Sequence, residues 1–278
     1  GVQTCALPIC RQLDSIDPFN IDRIEVISGA TSLYGGGSTG GLVNIVTKKG
    51  QPETEIEFQT GAKSGFNSHN DHYENVSAAV SGGNDNASGR LSVSYQRYGG
   101  WYDGNGDEVI IDNAQTGVQY SDRIDVMGTG TINIDEHQQL QLTTQYYKSE
   151  SDGKHGLFLG ENFAAVTGDA KAYNKDNLNS DRIPGTERHL INLQYSNTDF
   201  WGQDLVAQIY YRDESLTYYP FPTLSKGAVT SIGASQQKTD FYGGKLTLNS
   251  KPMDDLTLTW GVDADHETFD ANQQIGRA

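Results

Sequence analysis

A glycine-rich segment between two apolar runs occupies residues 21–50, which read IDRIEVISGATSLYGGGSTGGLVNIVTKKG. The flanking runs Ile24–Ile27 and Leu42–Thr47 are rich in β-branched residues, which favour strands. Glycine permits the tight turns and the close backbone approach that a small, crowded sheet requires. The segment therefore predicts two short strands joined by a glycine-rich connection.

The same segment contains a match to a dinucleotide-binding fingerprint. Gly35, Gly37 and Gly40 have the spacing G-x-G-x-x-G, which is a weak signal when it stands alone. A nucleotide-binding turn must open a helix whose N-terminus faces the pyrophosphate, yet a strand-like run follows at Leu42–Thr47. No Gly-Lys-Ser/Thr follows for a phosphate-binding loop either. We therefore exclude nucleotide binding.

A longer pattern in this segment is similar to a known family. Its residues resemble the end of the plug domain of TonB-dependent outer-membrane receptors, with Val43 standing where the family pattern has isoleucine. The residues that carry this plug motif, which we interpret as structural, are Arg23, Glu25, Gly29, Tyr34, Gly35, Gly37, Gly40, Gly41 and Asn44. The resemblance implies an all-β fold, a transmembrane antiparallel β-barrel that is 22-stranded in the family, with an N-terminal plug domain.

Both ends of the chain have an unusual sequence. Residues 1–9 are similar to one reading frame of a sequencing-library adapter, and residues 275–278 are what the start of the reverse adapter would encode. We expect residues 1–10 and 275–278 to be adapter-derived, which removes Cys5 and puts Cys10 in question. A natural N-terminus with a Cys5/Cys10 pair is the alternative. We then expect residues 11–49 to be the C-terminal part of the plug and residues 50–274 to be the first nine barrel strands of a longer protein.

Alternation of apolar and polar residues indicates about nine strands after residue 50. The alternating apolar positions are Ile56 and Phe58; Val76, Ala78 and Val80; Leu91, Val93 and Tyr95; Ile124, Val126, Ile132 and Ile134; Leu140, Leu142, Thr144 and Tyr146; Ile191, Leu193 and Tyr195; Leu205, Ala207, Ile209 and Tyr211; Leu246 and Leu248; Leu256, Leu258, Trp260 and Val262. The mean hydropathy of −0.58 agrees with such a barrel, because a lipid-facing side and a wet inner side cancel in the average.

The predicted connections alternate between short and long. Short ones are expected at 82–86, 135–137, 197–202 and 251–255, and long ones at 63–72, 99–119, 151–186 and 220–236. Outer-membrane barrels have short periplasmic turns and long outer loops, so we place the four long loops on the extracellular side.

The resemblance covers almost the whole chain, including loop segments such as GGWYDGNGD and LNSDRIPGTERHL, and it implies uptake of a ferric siderophore of the citrate-hydroxamate class. The ferric complex is a compact anion, so its site should offer cations, hydrogen-bond donors and aromatic walls near the loops. The candidate ligand-binding residues are Arg97, Trp101, Tyr102, Tyr120, Arg123, His155, Tyr173, Arg182, Arg188, Arg212, Tyr218, Tyr219 and Phe221.

Several partners follow from the same resemblance. A TonB-type energy-coupling protein should act through a box near the N-terminus of the full-length protein, and outer-membrane lipid and lipopolysaccharide should surround the barrel. Bacteriocins or phage are further expected partners. Iron belongs to the ligand, so we expect no cofactor and no metal held by the protein. The net charge of −16 excludes nucleic acid, which requires a basic surface.

Three alternatives remain at this point. The acidic segment Asp103–Glu108 begins like a calcium loop, which suggests a different class of function, a barrel that serves adhesion or calcium-dependent surface binding without transport. The segment lacks the glycine and the distal glutamate that calcium loops need. His69 and His72 could hold a metal, yet only Asp71 is near as a third ligand. Another siderophore, haem or cobalamin could be the ligand. The scattered histidines form no catalytic group, so we predict no enzyme activity.

Overall fold

The computed structural model describes residues 2–3, 15–29, 41–111, 119–177, 182–226, 228–253 and 255–277. Two separate sheets contain most of this part of the chain, with one further pair of short strands. No helix among these residues is long and apolar enough to cross a membrane.

The small sheet contains the two strands predicted from the glycine-rich segment. Strand β1 (Val2–Gln3) pairs with β3 (Gly41–Thr47), which pairs with β2 (Ile21–Ser28), all antiparallel. Gly41 has a φ of +145°, and a Cβ added to it would lie 2.7 Å from the carbonyl oxygen of Ile27. Glycine is therefore required there by both the backbone angle and the close approach of β2.

The large sheet contains the nine strands predicted from alternation. In chain order its elements are β4 (Glu55–Lys63), β5 (Tyr73–Gly83), β6 (Ala87–Tyr98), β7 (Ser121–Asn133), β8 (Gln138–Ser151), β11 (Gly185–Asn197), β12 (Asp204–Thr217), β13 (Phe221–Ser225), β14 (Ala228–Met253) and β15 (Leu256–Arg277). Strands β4 to β8 pair in sequence, β8 pairs with β11, and the order continues through β12 and β14 to β15. Among the described residues, the predicted strands are all confirmed.

The connection after β8 carries its own small elements. These are β9 (Gly156–Phe158), a 3₁₀ turn (Glu161–Phe163), one turn of α-helix (Ala164–Thr167) and β10 (Tyr173–Lys175), which pairs with β9. The described parts of this connection and of those at 64–72, 99–111 and 119–120 lie at one end of the sheet, which we call the outer end. The short connections at 84–86, 134–137 and 198–203 and the turn residue 255 lie at the other end.

The long connection predicted at 220–236 lies where it was expected, because β12 and β14 pair only up to Thr217 and Gln236, but it contains a hairpin that was not predicted. Residues 221–225 and 228–233 pair with each other, so that β13 and the start of β14 extend the sheet beyond the end of β12. The β-branched residues Thr223, Val229 and Ile232 favour this extended pairing, and Lys226 supplies the turn with a φ of +52°.

The two faces of the large sheet are reversed relative to those of a soluble protein. On β6, Leu91 and Val93 point outward and are 57% and 44% exposed, whereas Ser92 and Ser94 point inward and are 1% exposed. Because successive strand residues face opposite sides, the outer face is an apolar belt and the inner face is polar. We call this inner face the wall. Such an arrangement suits lipid outside and a polar filling inside.

Candidate functional site

Residues Ser15–Asn20, which we call the docking segment, lie against the wall just before β2. Asp17 accepts a hydrogen bond from the amide of Phe19 (2.8 Å) and thereby caps a 3₁₀ turn at Pro18–Asn20. This turn presents the Asn20 side chain to the wall. Asn20 is 0% exposed.

Asn20 uses both ends of its side-chain amide. Its Nδ2 donates to Oδ2 of Asp125 on β7 (3.3 Å), and its Oδ1 accepts from Nη1 of Arg90 (2.9 Å) and from Oγ of Ser92 (2.6 Å), both on β6. Its backbone oxygen accepts from the amide of Lys48 (2.9 Å). Two wall strands therefore contact this one side chain.

Asp125 collects hydrogen bonds from both the docking segment and the wall. Its Oδ2 accepts from the amide of Asp17 (2.9 Å), and its Oδ1 accepts from Nε2 of Gln145 on β8 (2.8 Å). Gln145 also donates to the backbone oxygen of Ser15 (2.8 Å). Both oxygens of this buried carboxylate are thus satisfied, as burial of a charge requires.

A buried ion pair closes the other side of the docking segment. Arg188 on β11 donates from Nε to Oε2 of Glu214 on β12 (2.7 Å), and its Nη1 donates to Oγ of Ser15. Arg188 is 1% exposed. The sequence placed Arg188 among the candidate ligand-binding residues, and the structure places it between Glu214 and the docking segment.

The docking segment also joins the plug-motif strands to the start of the large sheet. Glu57 on β4 accepts from Nζ of Lys48 (2.6 Å) and from Nε of Arg90 (3.1 Å). The guanidinium of Arg90 and the ammonium of Lys48 lie 5.2 and 5.1 Å from the ring centre of Phe19. These distances are within the range of cation–π attraction.

The plug-motif residues form a polar cluster on the small sheet. Glu25 accepts from Nδ2 of Asn44 (2.9 Å) and from Nε of Arg23 (2.8 Å), and these contacts hold the pKa of Glu25 below its usual value. Gly29 has a φ of +95°, which favours glycine. The remaining predicted positions, Tyr34, Gly35, Gly37 and Gly40, lie outside the described residues.

Tyr120 and His155 come together at the outer end of the sheet. Their rings stack at 3.8 Å with an angle of 5°, and Nδ1 of His155 lies 2.5 Å from Oδ2 of Asp152. The hydroxyl of Tyr120 donates to Glu108. Burial and the neighbouring Glu108 carboxylate raise the pKa of Tyr120 well above its usual range, so the phenol stays protonated.

Asn174 also links the connection after β8 to the connection that begins at residue 99. Its Oδ1 accepts from the amide of Ile111 (2.8 Å), and its Nδ2 donates to Oε1 of Glu108 (2.9 Å) and to the backbone oxygen of Val109 (2.9 Å). We call Glu108, Tyr120, Asp152, His155 and Asn174 the outer-loop junction. It fixes the connection 99–111 against the connection 152–177.

Arg123 lines a cavity of about 280 Å³ between the docking segment and the wall. Its guanidinium lies 5.1 Å from the ring centre of Tyr98, and Tyr73 and Tyr147 line the same space. This candidate residue therefore faces inward, with aromatic rings beside a cation.

The other candidate residues are spread over the outer end and do not form one cluster with Arg123. Trp101 is half-exposed, Tyr102 forms a β-bridge with Glu108, Tyr173 packs edge-on against Phe158, Arg182 donates to the backbone oxygen of Ala234 (3.2 Å), Arg212 lies 5.2 Å from the ring centre of Phe241, Tyr218 donates to Gln237 (3.0 Å), and Tyr219 donates to Ser151 (3.3 Å). Phe221 begins β13, and its side chain lies outside the described part. Ligand contact by these residues stays a prediction.

Arg97 lies on the opposite side of the sheet from the wall. It shares the outward face of β6 with Tyr95, and its Nε donates to Oδ1 of Asp122 (3.1 Å) on β7. Tyr95 donates to the same oxygen (2.8 Å). Arg97 therefore belongs to the outer surface of the sheet.

The two metal alternatives find limited support. Among the described residues, no group of three or more His, Cys, Asp and Glu side chains is placed to hold a metal ion. Asp103 accepts instead from the amides of Asn105 (2.8 Å) and Asp107 (3.0 Å), and His72 contacts the backbone oxygen of His69 (3.3 Å).

Sequence comparisons identify the family. Residues 10–42 match the family model described as TonB-dependent Receptor Plug Domain. The chain is 68% identical to the ferric aerobactin receptor of Klebsiella pneumoniae over 266 residues, 95% of this chain and 36% of that receptor. The chain belongs to the TonB-dependent receptors. Strand β2 and the first residues of β3 lie within the matched plug region, the large sheet is part of a β-barrel, and the protein lies in the outer membrane of a Gram-negative bacterium.

Two further comparisons extend this result. The chain is 39% identical to the rhizobactin receptor of Rhizobium meliloti over 97% of this chain and 37% of that receptor. It also resembles the solved siderophore receptor PirA from Acinetobacter baumannii, with a TM-score of 0.61 and 22% identity over 90% of this chain and 35% of the other. This TonB-dependent receptor chain therefore spans little more than a third of the length of the relatives it matches. The relatives are receptors rather than enzymes, as predicted.

The expected division at residue 49, the adapter origin of residues 1–10 and 275–278 and the status of Cys10 stay predictions. Sequence reasoning missed Asn20, Asp125, Gln145 and Glu214. The signal that could have found the last three was available, because each is a polar residue on the inward face of an alternating strand.

Proposed function

We propose that the full-length protein takes up ferric aerobactin through the outer membrane and is energised by a TonB-type protein. The observation that carries this proposal is 68% identity to a ferric aerobactin receptor over 95% of the chain. The matched region includes the outer connections as well as the strands. Outer connections contact ligands, and their residues vary more readily than those of a scaffold, so identity there supports a shared ligand.

The outer end of the barrel offers chemistry that suits such a ligand. A ferric citrate-hydroxamate complex is a compact anion with many oxygen acceptors. Trp101 exposes an aromatic face, His155 is held beside Tyr120, and Arg123 faces inward beside Tyr98. Cations and aromatic walls of this kind bind anionic, partly flat ligands.

In this proposal iron enters as part of the cargo and the protein supplies no metal ligand. TonB-type coupling, contacts with lipid and lipopolysaccharide, and attachment of bacteriocins or phage are partners that the family membership suggests for the full-length receptor. Each remains a proposal.

Growth of a receptor-deficient bacterium tests the ligand. Cells carrying the full-length gene should grow with ferric aerobactin as sole iron source, and cells that lack the energy-coupling protein should not. The rhizobactin receptor is also a relative, so the matched arm supplies ferric rhizobactin. Growth on ferric rhizobactin alone would keep siderophore transport and overturn the choice of aerobactin.

A second experiment tests the outer loops. Deletion of residues 152–184 in the full-length protein should abolish aerobactin binding while the barrel still inserts into the membrane. Unchanged affinity would remove this connection from the ligand site.

A further inference from the structure

The side chain of Asn20 has wall partners for both its donor and its acceptor. It is fully buried, its amide nitrogen donates to Asp125, and its amide oxygen accepts from Arg90 and Ser92. Asparagine is the residue whose short side chain carries a donor and an acceptor together. A carboxylate at this position would keep the contact with Arg90 but would face the carboxylate of Asp125.

The recognition comes from side chains on rigid strands. Arg90 and Ser92 stand two residues apart on β6, so both face inward, and Asp125 stands inward on the neighbouring strand β7. Ser94 lies directly opposite Asp125 in the register of these strands. The positions of the three partners are therefore set by strand pairing rather than by a flexible loop.

The docking segment is held on the wall by hydrogen bonds, and this affects how easily the segment can separate from the wall. When a hydrogen-bonded surface separates in water, each group exchanges a protein partner for a water partner, so the net cost is small compared with the strength of the bond. Arg90 keeps Glu57 and Asp125 keeps Gln145 after separation, because both partners belong to the wall. After separation each of these two charged groups therefore still has one hydrogen-bond partner on the wall, and water can take the place of the docking segment.

We propose that Asn20 registers the plug on the barrel wall, which means that its hydrogen bonds fix the position of the plug. We propose further that the hydrogen bond from Asn20 to Asp125 must break when ligand passes. The release step rests on the proposed transport function, because only a transporter needs to move its plug. The registering contact itself does not depend on which siderophore is carried.

Hydrogen–deuterium exchange of the full-length receptor tests the registering role of Asn20. The peptide that contains residues 15–20 is followed in the wild type, in Asn20→Asp, in Asp125→Asn and in the double variant. Asn20→Asp should raise exchange in this peptide about tenfold, the effect of losing one hydrogen bond to a charged group. The double variant should recover most of that loss, because the introduced amide can donate to the introduced carboxylate.

Asp122→Asn is the matched control. Asp122 lies on the same strand three residues earlier but faces outward, where it pairs with Arg97. Its substitution should leave exchange at residues 15–20 unchanged. Ser92→Ala is a milder variant, which removes one donor to Asn20 and should raise exchange less than Asn20→Asp does.

The registering role is overturned if exchange at residues 15–20 is the same in Asn20→Asp as in the wild type. It is also overturned if exchange in the double variant is as fast as in Asn20→Asp alone. Heat-dependent gel mobility shows in each case that the barrel is folded. Uptake gives the second readout. Asn20→Asp should admit a large antibiotic that the wild-type barrel excludes, and unchanged exclusion would overturn the registering role. If the receptor does not support growth on aerobactin but the variants show the expected exchange at residues 15–20, the proposed ligand is wrong and the registering role of Asn20 is supported.

Discussion

The docking contact on the wall and the outer-loop junction use similar side chains in different settings. At the wall, Asn20, Asp125 and Arg188 are buried, and their partners stand on paired strands. At the junction, Tyr120 and Asn174 reach across connections, and two of the three side-chain hydrogen bonds given for Asn174 are with backbone groups. The first arrangement is held by the sheet, whereas the second is held only by the loops it joins.

The difference assigns different tasks to the two regions. A strand-borne contact keeps its geometry when the outer end moves, which suits a site that positions the plug. A contact between loops opens when either loop moves, and loops are more mobile than the strands that they connect. The outer-loop junction therefore suits a region that adjusts to a ligand.

The largest effect should come from Arg188→Met in the full-length protein. This change removes the guanidinium that forms a buried ion pair with Glu214, and breaking a buried pair in this way costs about 3–5 kcal/mol. The midpoint of urea unfolding in detergent measures it. The change should also loosen residues 15–20, because the hydrogen bond from Nη1 of Arg188 to Ser15 is removed.

Arg97→Met is the control for that prediction. Arg97 and Asp122 also form an ion pair, but both side chains are about half exposed on the outer face. An exposed pair contributes about 0–1 kcal/mol, so the two variants should differ several-fold in their effect on stability. Equal shifts of the urea midpoint in the two variants would mean that the wall is no more rigid than the outer face of the sheet.

Much of the fold is predictable because the signal is local. Alternation along Leu140, Leu142 and Thr144 marks a strand regardless of what lies beside it, and the same holds for the other eight barrel strands. The hairpin within the long connection at 220–236 was not predicted, because strand pairing across Lys226 depends on a partner that alternation does not specify.

The candidate site is less predictable because its contacts are distant in sequence. Tyr120 and His155 could each be selected by residue type, but their stacking joins residues 35 positions apart. The Asn20 contact joins residues 105 positions apart and involves an ordinary asparagine. Burial of Arg188 beside Glu214 likewise depends on the register of β11 and β12, which the sequence alone does not specify.

A moderate effect is expected for Tyr120→Phe, which tests the junction. The change removes the hydroxyl that donates to Glu108 and keeps the ring that stacks on His155. Loss of a hydrogen bond to a charged group costs about 1.5–3 kcal/mol locally. Amide exchange in residues 99–111 should rise while the urea midpoint of the barrel stays the same.

Tyr173→Phe is the matched control for the junction. Tyr173 is half-exposed and packs edge-on against Phe158, so its ring rather than its hydroxyl makes the described contact. Exchange in residues 99–111 should not change. A shift of the global midpoint by Tyr120→Phe would show that the junction is part of the rigid barrel, against the contrast drawn between the two regions.

The smallest effect concerns the pH dependence of the turn at Asp103. The amides of Asn105 and Asp107 donate to its carboxylate and hold the pKa of Asp103 below its ordinary value of 3.8. A carboxyl group with a lowered pKa in the folded state stabilises that state above the ordinary pKa, and the stabilisation is lost as pH falls through the lower folded value. Titration of this carboxyl group by NMR should therefore give a midpoint below 3.8.

Asp103→Asn should remove the pH dependence from the amide signals of Asn105 and Asp107 and leave the wall unaffected, because the turn is confined to an outer loop. A midpoint at or above the ordinary value would mean that the outer loop is not held by these hydrogen bonds in solution.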